Sequence, residues 1–189
     1  MLEAVQGLLG AVGGSPENHA PAYTDLMKTK ISPCLWFDHQ AEDAARFYTG
    51  IFKDSKITAI SRYPEVGQEI HGKPPGSVLT VAFELNGQSF TALNGGPVFK
   101  FNEAVSFQIE CETQEEVDYY WERLSEGGAP QAQQCGWLAD KFGLSWQVVP
   151  KVLPEMLTDP DTAKSHRAFQ AMLQMKKLDI AGLQRAFAG

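Results

Sequence analysis

The segment Gly143-Leu144-Ser145-Trp146-Gln147-Val148-Val149-Pro150 alternates between two kinds of position, which predicts a strand with one buried face. Gly87-Gln88-Ser89-Phe90-Thr91-Ala92-Leu93-Asn94 carries the same pattern 56 positions earlier, so that Phe90 meets Trp146 and Thr91 meets Gln147. One strand has been used twice, and a duplicated module organises the chain.

Around these two strands the remaining elements fall into the same order. Residues 31–37 are apolar up to Asp38 and predict a strand buried on both faces, and 41–52 place Ala44, Ala45, Phe47, Tyr48, Ile51 and Phe52 at helical spacing behind Glu42 and Asp43. A second strand follows over 55–63, and 78–85 with 88–93 form a hairpin about Asn86-Gly87. The second copy predicts a strand over 105–111, a helix over 114–124, a strand over 130–135 and a hairpin of 137–142 with 144–149. The helices repeat at an offset of 73, where Phe47-Tyr48 meets Tyr120-Trp121, against 56 for the hairpins. The first copy therefore holds 17 extra residues, and the prolines and glycines of 63–77 assign them to a loop of the length used for lids and binding loops. After Pro150 the pattern turns helical. Thr158-Asp159-Pro160 offers a cap, Phe169, Met172 and Leu173 form an apolar stripe suited to docking on the domain or on a second subunit, and Asp179 caps a last short helix.

The fold class read from this order is α+β, with two tandem βαβββ modules at 31–97 and 103–150 forming a cup-shaped mixed sheet, and a helical tail at 151–189. Residues 1–26 are glycine-rich and patternless, and read as a leader or disordered extension ahead of the domain at 27–150; Glu3 stands where a signal peptide would carry a basic residue.

Composition narrows the partners. With 43% hydrophobic and 21% charged residues, a net charge of -7 and no apolar run of membrane-spanning length, the chain reads as a cytoplasmic globular protein that binds neither nucleic acid nor membrane. Cys34, Cys111 and Cys135 are scattered and odd in number, which reads as reduced thiols.

The module order and the segments Pro33-Cys34-Leu35-Trp36-Phe37-Asp38, Leu93-Asn94-Gly95-Gly96-Pro97, Cys135-Gly136-Trp137 and Ser145-Trp146-Gln147 resemble the PhnB-like branch of the vicinal oxygen chelate superfamily, which holds glyoxalase I, bleomycin-resistance proteins and extradiol dioxygenases. The branch carries a 3-demethylubiquinone methyltransferase label, and the resemblance implies a ligand cup and a homodimer. In metal-dependent members His or Glu stands at positions that correspond here to Pro33, Ser106 and Gln147, so the resemblance implies no metal. His19, His39, His71 and His166 lie outside the cavity strands, and Glu69 with His71 reads as exposed loop. No strand-to-helix glycine turn marks a place for S-adenosylmethionine, since no helix follows Gly95-Gly96-Pro97, and no cofactor is expected.

Strand parity assigns Val105, Phe107 and Ile109 to the helix-packed face and Ser106, Gln108 and Glu110 to the cavity, with Ser145, Gln147, Val149, Ser89, Thr91 and Leu93 beside them. The expected ligand site is Ser106, Gln108, Gln147 and Thr91, with Asn94 and Trp137 at the rim. Two functions stay open: metal-free binding of a small molecule, or an enzyme of the isomerase, lyase or transferase kind with either an unrecognised metal site or metal-free acid-base chemistry centred on Glu110.

Overall fold

The computed structural model describes residues 30–189, so the expected leader at 1–26 lies outside the described residues. The first module runs β1 (Cys34–Phe37), α1 (Ala41–Ile51), β2 (Lys56–Arg62), a short α2 (Gln68–His71), β3 (Val78–Leu85) and β4 (Gln88–Asn94). Its four strands pair in the order β1-β4-β3-β2, with β1 parallel to β4 and the rest antiparallel. The second module runs β5 (Ser106–Cys111), α3 (Gln114–Ser125), a 3-10 turn (Pro130–Ala132), β6 (Trp137–Ala139) and β7 (Ser145–Pro150). Its sheet is β5-β7-β6, with β5 parallel to β7. β4 and β7 are thus the repeated strand, each beside the first strand of its own module.

Four expectations change. The first strand begins at Cys34 and alternates, leaving Ile31 93% exposed rather than doubly buried. Val105 lies outside β5 and faces solvent. Residues 130–135 are not a strand, because Pro130 opens a 3-10 turn and Cys135 and Gly136 then adopt φ of 51° and 85° in a tight two-residue turn from Gln134 to Trp137. The strand expected over 137–142 stops at Ala139, since the Asp140 side chain takes the Phe142 and Leu144 backbone donors and closes a turn.

The modules meet through their helix-bearing faces. Phe52 stacks on Trp146 at 5.4 Å between ring centroids, Phe90 meets Phe107 edge-on at 5.3 Å, and the Tyr119 hydroxyl donates to the Ile51 carbonyl. One apolar core, including Tyr48, Phe83, Val117, Leu124, Leu138 and Val148, lies beneath both sheets. On the opposite faces β2 is exposed along nearly its whole length and Cys34 and Gln108 are exposed, whereas β7 is buried on this side too, at Ser145 and Val149, and leaves only Gln147 half-buried among the described residues.

The tail adds α4 (Val152–Leu157), α5 (Thr162–Leu173) and α6 (Ile180–Ala188). Asp161 rather than the 158–160 segment caps α5, accepting the Ala163 and Lys164 N–H groups, and Asp179 caps α6 as expected. Leu153, Met156, Leu178 and Leu183 bury themselves with Val149. Two turn donors, the backbone N–H groups of Cys135 and Gly136, reach the Met175 and Lys176 carbonyls at 2.8 Å, and Gln114 bridges the Leu178 carbonyl and the Ile180 N–H. The apolar stripe is divided: Met172 packs inward, whereas Phe169 and Leu173 face solvent.

Candidate functional site

Strand pairing puts side chains of partnered residues on the same face, so the register lays out each open face row by row. In the second sheet one row is Gln108, Gln147 and Trp137, and the next is Ser106, Ser145 and Ala139. The corresponding rows of the first sheet are Cys34, Thr91, Ala82 and Ala59, then Trp36, Leu93, Thr80 and Ser61. Cys34 is therefore the counterpart of Gln108, and Thr91 that of Gln147.

Of the expected site residues the structure brings three into one row, Gln108, Gln147 and Trp137, and ties in a fourth by a bond of 2.9 Å from the Gln147 amide to the Ser106 hydroxyl. Thr91 belongs to the other sheet and does not join them. Asn94 is committed elsewhere. Its side-chain oxygen accepts the Ala41 N–H at 2.8 Å, its amide donates to the Val78 carbonyl, and its own carbonyl accepts the Tyr63 hydroxyl. In this way Asn94 caps α1, whose preceding Gln40 makes no side-chain cap, and fastens the 63–77 loop.

That loop is pinned at its base by paired backbone bonds between Tyr63 and the Gly76-Ser77 segment. His71 is half-buried, not exposed: its ring lies 4.7 Å from that of Tyr63, Nδ1 accepts the Lys73 N–H, and Nε2 has no partner among the described residues. Between this loop and the start of α1 opens a groove of about 400 Å³ that includes Asp38, Glu42, Tyr63, Lys73 and Asn94. Beyond Asp38 lies a second groove of about 350 Å³, between Trp36, Phe99 and Phe142.

A residue outside the expected site forms the most elaborate polar node. Asp140 is 2% exposed and accepts four donors: the Tyr48 hydroxyl and Trp146 indole on one oxygen, the Phe142 and Leu144 N–H groups on the other. Burial pushes its carboxyl above the ordinary value even though all four donors pull the other way. The Tyr48 hydroxyl is raised well above its own ordinary value, by burial first and then by the Asp140 charge. In sequence Asp140 looks like an ordinary turn residue, and only the polar tips of Tyr48 and Trp146, each needing a partner once buried, hint at a carboxylate between them.

The residues present do not fit the metal of this fold. The Ser106 hydroxyl and Gln147 amide are bonded to each other, the Pro33 carbonyl accepts the Thr91 N–H at 3.0 Å, and all three groups are neutral. Nor do they fit a methyl-donor nucleotide at Gly95-Gly96: the Gly96 carbonyl accepts the Trp36 indole, and a side chain at Gly95 would run into the Trp36 ring. Those glycines make room for a tryptophan.

Comparison with known proteins places these features in a family. The family model described as 3-demethylubiquinone-9 3-methyltransferase matches residues 29–149. A PhnB protein of Bacillus cereus with the same methyltransferase description is 37% identical over 65% of this chain and 99% of its own, with a TM-score of 0.56. The protein PA1353 of Pseudomonas aeruginosa, 17% identical over 65% of this chain and 98% of its own, shares the fold at a TM-score of 0.51. No curated protein matches. The matched region of the family model stops at the end of β7, short of the helical tail.

Proposed function

The chain belongs to the 3-demethylubiquinone-9 3-methyltransferase family of PhnB-like proteins with the vicinal oxygen chelate fold, and on that footing we propose that it binds a small molecule on the open polar face of its sheets, without a metal. The observation that carries this reading is the row Gln108, Gln147 and Trp137, which presents amides beside an aromatic ring on the side of the sheet away from α3, next to the tail that buries Val149. Amides donate and accept at once, so they suit a neutral or weakly polar ligand with carbonyl or hydroxyl groups, and the indole offers it a flat apolar wall.

A homodimer fits the same geometry. Among the described residues β1 and β5 are edge strands of their sheets, and Phe99, Phe169 and Leu173 are exposed apolar side chains that a second copy would cover. Acid-base chemistry through Glu110 is the weaker alternative, because this carboxylate stands exposed at the strand end, where water would compete for it. Methyl transfer is not supported at Gly95-Gly96, where the Trp36 ring fills the space a methyl donor would need.

A thermal-shift screen of small polar aromatics, repeated on Gln108→Leu and Gln147→Leu, tests the reading. Hits that raise the melting temperature of the parent and not of the variants support it. Hits that bind all three proteins equally place the ligand elsewhere and leave the two glutamines as scaffold.

A further inference from the structure

Where the turn between β3 and β4 approaches β5 and the start of α3, the fold leaves a groove of about 470 Å³ that touches the proposed ligand row at Gln108 and includes neither Gln147 nor Trp137. Its floor is aromatic. Phe52 stacks on Tyr120 at 5.2 Å and on Trp146 at 5.4 Å between centroids, and Phe107 leans on Trp146 at 5.6 Å. Its mouth is acidic, with Glu110, Glu112 and Glu116 all lining it. Glu112 is held by Lys151 at 2.6 Å, and Glu116 accepts the Glu112 backbone N–H. Among the described residues, three carboxylates thus face one paired cation, Lys151, while Glu110 stands exposed. Lys53 lines the adjoining shallow groove, which shares Glu116 and Tyr120.

Ring faces carry negative electrostatic potential, and so do the carboxylates above them. A neutral apolar molecule would gain from the floor alone, and an anion would meet the glutamates. A cation with apolar surface gains from both. We propose that this groove binds a small organic cation carrying aromatic or bulky apolar groups, with its charge at the glutamates and its rings on the Phe52, Tyr120 and Trp146 floor.

Tetraphenylphosphonium and tetraphenylborate have nearly the same shape and opposite charge, and titrating each against the full chain separates charge from hydrophobicity. The phosphonium should bind at least about tenfold more tightly and move the side-chain resonances of Tyr120 and Trp146. Glu110→Gln should weaken it about three- to tenfold, while Glu65→Gln, an equal change of net charge on the 63–77 loop, should not. Gln147→Leu should leave phosphonium binding unchanged, so that this groove and the proposed ligand row succeed or fail separately. Equal affinity for the two ions, or equal effects of the Glu110 and Glu65 variants, would overturn the proposal. So would a groove already covered by a second copy, seen as Tyr120 resonances protected in the free protein and unmoved by the phosphonium.

Discussion

Tyr48 on α1 donates its hydroxyl to the Asp140 carboxylate at 2.8 Å across 92 positions of sequence, so that one buried bond ties the first module's helix to the second module's hairpin. Asp140→Asn keeps the shape and halves the acceptors. Whichever way the amide turns, two donors face an NH2 group, and neither the Trp146 indole nor a backbone N–H can reverse its role. The substitution should cost about 2–4 kcal/mol, and Tyr48→Phe, which removes a single donor, about 1–2 kcal/mol. Urea unfolding of both checks the order; a smaller loss for the asparagine variant would mean that the node is hydrated.

The raised Tyr48 hydroxyl makes stability depend on pH in one direction. Its folded value exceeds its unfolded one, so the contribution is complete below about pH 10 and is lost as pH rises beyond that, where the unfolded chain releases the proton first. The stability difference between the parent and Tyr48→Phe should therefore be flat from neutral pH to about pH 9 and shrink above pH 10. Asp140 is also raised, so protonation is favoured in the fold and its share of stability is fullest below the ordinary carboxylate value, falling as pH rises through the raised one. A parent that acidification destabilises more than Asp140→Asn would contradict that sign.

Gly136 is the position where the tail and the domain fit most closely. At φ of 85° a side chain is strained, and its Cβ would lie 2.9 Å from both the Leu178 side chain and the Val148 carbonyl. Gly136→Ala should cost about 2 kcal/mol or more and raise amide exchange in residues 175–183 ahead of that in β3 and β4. Uniform exchange throughout the chain would show that the tail is not a separate unit of opening.

Ending the chain after Pro150 removes the side chains that bury Val149, among them Leu153, Leu178 and Leu183. At about 1.5–3 kcal/mol for each large apolar side chain, the loss rivals the whole stability of an ordinary domain. Truncated protein should melt well below the parent or fail to stay in solution. Phe169→Ser with Leu173→Ser, by contrast, should leave the melting temperature nearly unchanged and shift sedimentation toward the monomer, if those exposed side chains hold a dimer together.

Much of the architecture was legible because it rests on short-range periodicity. Phe90 and Trp146 recur at the same step of the same alternating pattern, and both sit beneath their sheets. The side-chain appointments were not legible, because each joins residues far apart. Asn94 reads as a rim residue until its oxygen is found capping Ala41, 53 positions back, and Asp140 reads as a turn until two modules close around it. Residues 130–135 misled for a local reason: turn chemistry at Cys135-Gly136 overrode a stretch that alternates well enough for a strand. The row of Gln108, Gln147 and Trp137 was within reach from parity alone, whereas the acidic mouth at Glu110, Glu112 and Glu116 required knowing that α3 begins beside β5.

The pairing of the Cys135-Gly136 turn with Met175 and Lys176 also sets a timetable for the newborn chain. Both modules can leave the ribosome with their strands in hand, yet two outward-pointing turn donors and the apolar surface at Val149 wait for a segment made dozens of residues later. Until Leu178 emerges, the second module is a surface that chaperones would recognise, and a ribosome stalled within α5 would carry it exposed.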